Sequence, residues 1–412
     1  MKSLDDVDFA GKTVLLRVDI NSPIDPDTQK IVNTNRIEKS VPTIAYLLEQ
    51  GAKLALIAHQ GDTLDYHNLI PMQQHVDILN ELLGSKVEYI DDVCGPAAQD
   101  KVRSLTAGEA VLLGNLRYLS EEISTFENAV KLEPADMLNT FLVRGLAPLV
   151  DVYVNDAFAA AHRNAPSMVA FQQLKPKAAG RLLFDEVAAL DRVMTQPEHP
   201  SVFVLGGAKI SDAFGMMQQV LEAGTADKIL ACGITGEIML LAAGYKLGNT
   251  KEQFLNDRGL LEFVAPARSY LRDYGEKIVY PLDLAFEGNG SRQEIRLGDL
   301  PREHMYMDIG AATVAAFEEE IGSAKTLFVN GPPGVYENEL FEAGTQAIWK
   351  AIADAPGYSV IGGGDTVTAA ARFIDLKKIN YVCTAGGAMV RYLSGKRLPL
   401  IAAMEEAEAD SP

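Results

Sequence analysis

Short apolar, β-branched runs recur along this chain, and helical periodicity fills the stretches between several of them. The first series covers residues 12–18, 53–58, 86–90, 109–113 and 150–154. After the first run, Ile44, Leu47 and Leu48 share one helical face, with Ser40 as a candidate cap and Pro42 in the first turn. Gly51 then closes the helix, and the next strand begins at once. Such a βαβ unit, repeated, requires a parallel sheet covered on both faces. A second series follows at residues 201–205, 228–231, 277–280, 325–329, 358–361 and 380–383. Between the series, Leu183, Val187, Leu190 and Met194 fall at helical spacing, and Pro197 and Pro200 close the segment. The pattern predicts an α/β chain of two doubly wound parallel-sheet domains with a cleft between them. The expected boundaries are 1–180 for the first domain, 181–197 for a linking helix and 198–390 for the second domain. Residues 391–412 are expected to return to the first.

A length of 412 residues accommodates two cores. The net charge of −19, from 37 Lys+Arg against 56 Asp+Glu, argues against a nucleic-acid partner, because phosphate backbones are held by basic faces. A small anion remains admissible if basic residues gather locally. No apolar run is long enough for a membrane span, and the acidic start, MKSLDDVDFAGK, lacks the apolar stretch of a signal peptide. Cys94, Cys232 and Cys383 form no C-x-x-C pair and read as buried, inert thiols. A cytoplasmic setting is the expectation.

In open parallel sheets, ligands bind beyond the carboxyl ends of the strands. In the first half, those positions or the residues shortly after them carry Arg36, His59, Arg117, His162 and Arg163, a candidate anion pocket. In the second half the same positions are glycine-rich: residues 205–209, 330–334, 362–366 and 385–387. Glycines let backbone N–H groups approach phosphate, and a following helix adds its positive end. Asp365, beside three glycines at a helix start, suits Mg²⁺ or an N-cap. No G-x-x-x-x-G-K-[ST] occurs, and no G-x-G-x-x-G follows the first strand. A basic pocket in one half and glycine-lined loops in the other suggest phosphoryl transfer.

These segments resemble the phosphoglycerate kinase family over roughly residues 10 to 400, most closely its archaeal-type members. The matching stretches are Arg-Val-Asp-Ile-Asn-Ser-Pro (17–23), Asn35-Arg36-Ile37, His59-Gln60-Gly61, Asn115-Leu116-Arg117, residues 154–158 and 161–163, Gly206 to Lys209, Asn330 to Pro332, residues 334–337 and Gly362 to Thr366. The resemblance implies a phosphoglycerate kinase-like fold and Mg²⁺-assisted, ATP-dependent reversible phosphorylation of the carboxylate of 3-phosphoglycerate in glycolysis and gluconeogenesis, within a hinge-closed cleft. It implies that Asp19, Asn21, Arg36, His59, Arg117, His162 and Arg163 hold the acid. Gly206, Gly207, Lys209, Gly233, Asn330, Pro332, Glu337, Gly362, Gly363, Gly364, Asp365 and Thr366 would hold ATP or ADP, with Glu337 on the ribose and Asp365 meeting the metal. Arg36 and Lys209, with the backbone N–H groups near Gly386 and Gly387, would neutralise charge on the transferring group. A carboxylate is already a nucleophile, so no general base is required. The partners expected are a small acid and an adenine nucleotide, in a monomer or a homodimer.

The chain departs from that family mainly in the acid pocket. Asp62 stands where an arginine helps grip phosphate, and a charge-assisted contact of that kind contributes on the order of 1.5–3 kcal/mol. His67 is a base that could compensate. Ala159, Ala160, Ala165, Gly114, Ala213 and Ala385 also replace family residues. Two alternatives therefore stand beside the leading one: a kinase of a different small carboxylic acid, and a catalytically silent binding or regulatory protein.

Overall fold

The structure of the chain is a computed structural model. It describes residues 1–61, 68–84 and 87–409, with side chains as far as residue 406. The chain divides into two compact units, one formed by Met1–Val187 with Arg397–Pro412 and the other by Ala188–Lys396. Among the described residues, no helix is long and apolar enough to cross a membrane.

The first unit is built on a six-stranded parallel sheet. Its strands are β1 (Thr13–Val18), β2 (Lys53–Ile57), β3 (Val87–Tyr89), β4 (Ala110–Leu112), β5 (Val152–Asp156) and β6 (Lys177–Ala179), in the order β3-β4-β2-β1-β5-β6. Every residue of β1 is buried, as expected for a central strand covered on both faces. On one face Val14, Leu16, Leu54, Leu56 and Val154 pack with Ile37, Ile44 and Leu47 of the Asn35–Glu49 helix. That helix begins a turn before Ser40, after Thr34, so Ser40 does not cap it. The Ser40 hydroxyl instead donates to the Ile37 carbonyl oxygen at 2.7 Å within the helix. Residues 35–39 hold no glycine or proline to stop the helix extending backward, and Arg36 consequently sits in its first turn.

The second unit repeats the design. Its parallel strands are β7 (Ser201–Leu205), β8 (Lys228–Ala231), β9 (Ile278–Val279), β13 (Thr326–Asn330), β14 (Tyr358–Ile361) and β15 (Tyr381–Val382), ordered β15-β14-β13-β7-β8-β9. Val202, Val204, Leu327 and Val329 pack there against Phe317, Ile321, Trp349 and Ile352. Inserted before β13 is an antiparallel sheet that strand periodicity had not indicated. It comprises β10 (Asp283–Gly288), β11 (Ser291–Arg296) and β12 (Tyr306–Ile309), in the order β11-β10-β12.

Both parallel sheets have a switch point. β1 lies between β2 and β5, and β7 lies between β13 and β8. The chain leaves β1 toward β2 but β5 toward β6, and β7 toward β8 but β13 toward β14, so connections diverge there and open a crevice beyond the carboxyl ends. The loops after β1, β2 and β5 meet at the first crevice, and those after β7, β8 and β13 at the second.

Candidate functional site

Asp19, Asn21, Arg36, His59, Arg117, His162 and Arg163 line one cavity of about 210 Å³ in the first unit. The loop after β1 supplies Asp19 and Asn21, and the end of β2 supplies His59. The Asn35–Glu49 helix supplies Arg36, and the loops after β4 and β5 supply the remainder. One Asp19 oxygen pairs with Arg36 at 3.0 Å, and the other accepts the Asn21 N–H at 3.2 Å. Asn21 Oδ1 in turn accepts the Gly61 N–H at 3.0 Å, tying the first two loops together. Arg117 Nε donates to the Gly61 carbonyl oxygen at 3.2 Å. Arg163 is anchored by Glu127 at 2.7 Å, while one nitrogen of its guanidinium is buried with no protein partner among the described residues.

Two further residues of this cavity were not among the expected ligands. Arg17 is buried in β1 and donates to His59 Nδ1 at 2.8 Å and to Ser167 Oγ at 3.3 Å. Glu122 is buried as well, accepting the Ser167 N–H and hydroxyl at 2.7 Å each, while its carbonyl oxygen accepts from Arg117 at 2.5 Å. Burial raises the Glu122 carboxyl above its usual range. Burial, then the Arg17, Arg117, Arg163 and Arg36 charges, push His59 well below the ordinary 6.5, leaving a neutral imidazole. Arg17 had a sequence signal, since it opens the motif that contains Asp19. Glu122 had none, because a glutamate among acidic neighbours reads as surface. Ala159, Ala160 and Ala165 also line the cavity. Asp62 and His67 lie outside the described residues.

The second unit holds a cavity of about 330 Å³ that Gly207, Gly233, Pro332, Glu337 and Asp365 line. The remaining glycine-loop residues adjoin it or brace it. Gly206 and Gly207 donate to the Asn330 and Pro332 carbonyl oxygens at 2.9 and 2.8 Å. Gly331 has φ +88°, and a Cβ there would stand 2.2 Å from the Gly206 carbonyl oxygen, so the two loops can meet only through glycine. The Asn330 amide donates to the Gly362 carbonyl oxygen at 2.7 Å, and Thr366 Oγ1 accepts the Gly331 N–H at 2.8 Å. Asn330 and Thr366 thus shape the loops from within.

Helices begin at Ile210, Gly233, Gly364 and Gly386 at the carboxyl ends of β7, β8, β14 and β15. Their N-terminal N–H groups suit an anionic ligand. Gly363 caps one of them, and Asp365 lies in its first turn rather than at the cap. Lys209 and Asp365 are exposed and 4.0 Å apart. A Cβ on Gly386 would come within 3.6 Å of Gly363 Cα, so the last two loops are neighbours; Gly387 is exposed beside it. Among the described residues no group of three His, Cys, Asp or Glu could hold a metal. The apolar walls of the cavity come from elements unrecognised in the sequence, including Leu284 of β10, Met305 before β12 and Phe254 of the Asn249–Asp257 helix.

Residues 4–396 match the model of the phosphoglycerate kinase family. The chain belongs to that family. A phosphoglycerate kinase of Methanothermus fervidus is 39% identical over 409 residues, spanning 99% of this chain and 98% of that relative. One of Thermococcus kodakarensis is 40% identical over 411 residues, spanning 98% and 97%. The crystal structure of phosphoglycerate kinase from Pyrococcus horikoshii OT3 superposes with a TM-score of 0.86 at 37% identity, covering all of both chains. The structure of phosphoglycerate kinase from Coxiella burnetii gives 0.84 at 29% identity, covering 98% of each chain. The two parallel-sheet domains are those of the family, and its members are kinases that transfer phosphate to a carboxylate. Archaeal proteins are prominent among the relatives, in keeping with the motifs.

Proposed function

We propose that this chain catalyses the reversible, ATP-dependent phosphorylation of the carboxylate of 3-phosphoglycerate, in a cytoplasmic setting. The observation that carries the choice of acid is the charge of the first-unit cavity. Arg17, Arg36, Arg117 and Arg163 line it with Asp19 and Glu122, and Glu127 pairs with Arg163 from behind, four cations to three carboxylates in a chain of net charge −19. A pocket that small and that basic favours an acid with a second anionic group over an unphosphorylated one. Nothing comparable favours the alternative acids or a silent protein.

In this reading Arg117, Arg163, His59 and His162 hold the phosphate and hydroxyl groups of the acid. Arg36, oriented by Asp19, leaves its remaining guanidinium donors for the reacting carboxylate. The second-unit cavity takes the nucleotide, with Glu337 at the ribose and the helix N-termini and Lys209 at the phosphates. Lys209 and the N–H groups of Gly386 and Gly387 neutralise the transferring phosphoryl group. The residues fit Mg²⁺ held mainly by phosphate oxygens, because the exposed Asp365 offers a single carboxylate. When bound, the ion supplies neutralisation of phosphate charge. Transfer needs both ligands in contact and water excluded, so closure of the units on each other belongs to the proposal. The proposed domains are residues 1–180 and 198–390, joined by a linking segment 181–197, with 391–412 returning to the first; the Arg181–Met194 helix and the grouping of the last residues with the first unit support this reading.

A coupled assay of ATP-dependent phosphorylation, run on 3-phosphoglycerate and on unphosphorylated small acids, tests the reading. Turnover with 3-phosphoglycerate supports it. Turnover with another acid only would replace it.

A further inference from the structure

The second-unit cavity carries an ion pair that phosphoryl transfer does not use. Glu237 lies four residues, about 6 Å, along the helix from Gly233. Its Oε1 meets Lys251 Nζ at 2.7 Å, and both side chains are at most 7% exposed. Lys251 also donates to the Tyr306 carbonyl oxygen at 2.8 Å and lies 4.9 Å from the Phe254 ring centre. The other Glu237 oxygen has no partner among the described residues. Burying such a pair is costly, and leaving a carboxylate oxygen unsatisfied adds to the cost. Both residues line the cavity, beside apolar walls from Phe254, Leu284 and Met305.

An apolar slot with one buried, unpartnered carboxylate oxygen in its wall beside an ammonium matches one edge of a purine. A 6-aminopurine presents an amino donor next to ring-nitrogen acceptors. Lys251 has three N–H groups and two oxygen partners, so one remains for a ring nitrogen. We propose that Glu237, held in place by Lys251, selects 6-aminopurine nucleotides by accepting a hydrogen bond from the exocyclic amino group. A 6-oxopurine would set an oxygen lone pair against the carboxylate. The proposal rests on the reading of this cavity as the nucleotide site. It makes Glu237 a specificity residue and Lys251 a positioning residue.

The test is calorimetric binding of ADP and IDP, whose bases differ at this position. ADP is expected to bind on the order of 10- to 100-fold more tightly, the range of a charge-assisted hydrogen bond. Glu237→Gln, checked for folding by circular dichroism, can donate to the 6-oxo group and should close the gap by weakening ADP and strengthening IDP. Glu237→Met combined with Lys251→Met replaces the pair by apolar chains of similar volume and should abolish discrimination. Equal affinities in the unaltered protein, or an intact gap in either folded variant, would overturn the proposal. Discrimination between ADP and IDP without turnover of 3-phosphoglycerate would overturn the proposed reaction and leave this inference standing. Failure of both nucleotides to bind would overturn the two together.

Discussion

Arg17 donates from its guanidinium to His59 Nδ1 at 2.8 Å. A guanidinium only donates, so Nδ1 is the acceptor and the imidazole proton resides on Nε2. Burial and four nearby arginines keep that ring neutral. His59 therefore contributes to the anion cavity as an N–H donor, without charge. Its nitrogen and carbon resonances should stay flat between about pH 6 and 8, where an unperturbed histidine titrates. A titration near 6.5 would contradict the tautomer and the burial together.

Arg36 is held by Asp19 on one side and is partly exposed on the other. Arg36→Ala should lower kcat by orders of magnitude, since neutralisation of the transferring group would lose its principal cation on the acid side. Arg36→Lys should recover only part, because a lysine restores charge without the planar fork. Steady-state kinetics with saturating ATP and 3-phosphoglycerate checks both. A near-normal Arg36→Ala enzyme would remove Arg36 from the reaction.

His75 braces the same loops from behind. Its Nε2 faces Gln60 Oε1 at 3.0 Å, and that oxygen also accepts the Ser22 N–H at 2.8 Å. Burial pushes His75 down to about 4 from 6.5, so the folded form binds fewer protons than the unfolded one between these values. Its contribution is present above 6.5 and lost as pH falls toward 4. The stability difference between the unaltered protein and His75→Gln should change by about 3 kcal/mol across that window, in favour of histidine at the higher pH. Urea unfolding at several pH values measures it; a pH-independent difference would contradict the assignment.

Gly331→Ala should damage the nucleotide loops. The new methyl group would press on the Gly206 carbonyl oxygen in a backbone conformation with φ +88°. Strain of about 1–3 kcal/mol is the minimum expected, with the loops forced apart. ADP affinity should fall by at least tenfold, with a lowered melting temperature. Unchanged ADP binding would show that the contact of these loops does not shape the site.

The parallel sheets were legible in the sequence because buried parallel strands write continuous apolar runs, as in Thr13–Val18 and Ser201–Leu205. The antiparallel sheet was not, because β11 is mostly exposed and its run, SRQEIR, is polar. One signal did exist. Asn289 and Gly290 both have positive φ, and an Asn-Gly pair between extended segments marks a tight hairpin. Ser40 misled because a serine beside a proline reads as a cap, whereas burial lets its hydroxyl turn back onto the helix. The acid pocket was legible through cations placed after strands. Glu237 and Lys251 were invisible, since only folding brings two ordinary helix residues 2.7 Å apart.

Asp62 is the departure with the most direct chemical consequence. By the sequence resemblance alone, it stands where the family carries an arginine expected to grip phosphate. Asp62→Arg should tighten 3-phosphoglycerate binding about tenfold to a hundredfold, the range of a charge-assisted contact to phosphate. The KM for the acid reports it, while the KM for ATP should stay unchanged. No change in the KM for the acid would show that this position does not limit recognition of the acid.

Most direct of all is a single kinetic comparison on the unaltered protein. With ATP and Mg²⁺ present, kcat/KM for 3-phosphoglycerate is set against that for unphosphorylated glycerate and similar small acids. Turnover of 3-phosphoglycerate is expected, with a preference for it of at least tenfold, as the four-arginine cavity requires. Equal or better turnover of an unphosphorylated acid, or none with any acid, would contradict it.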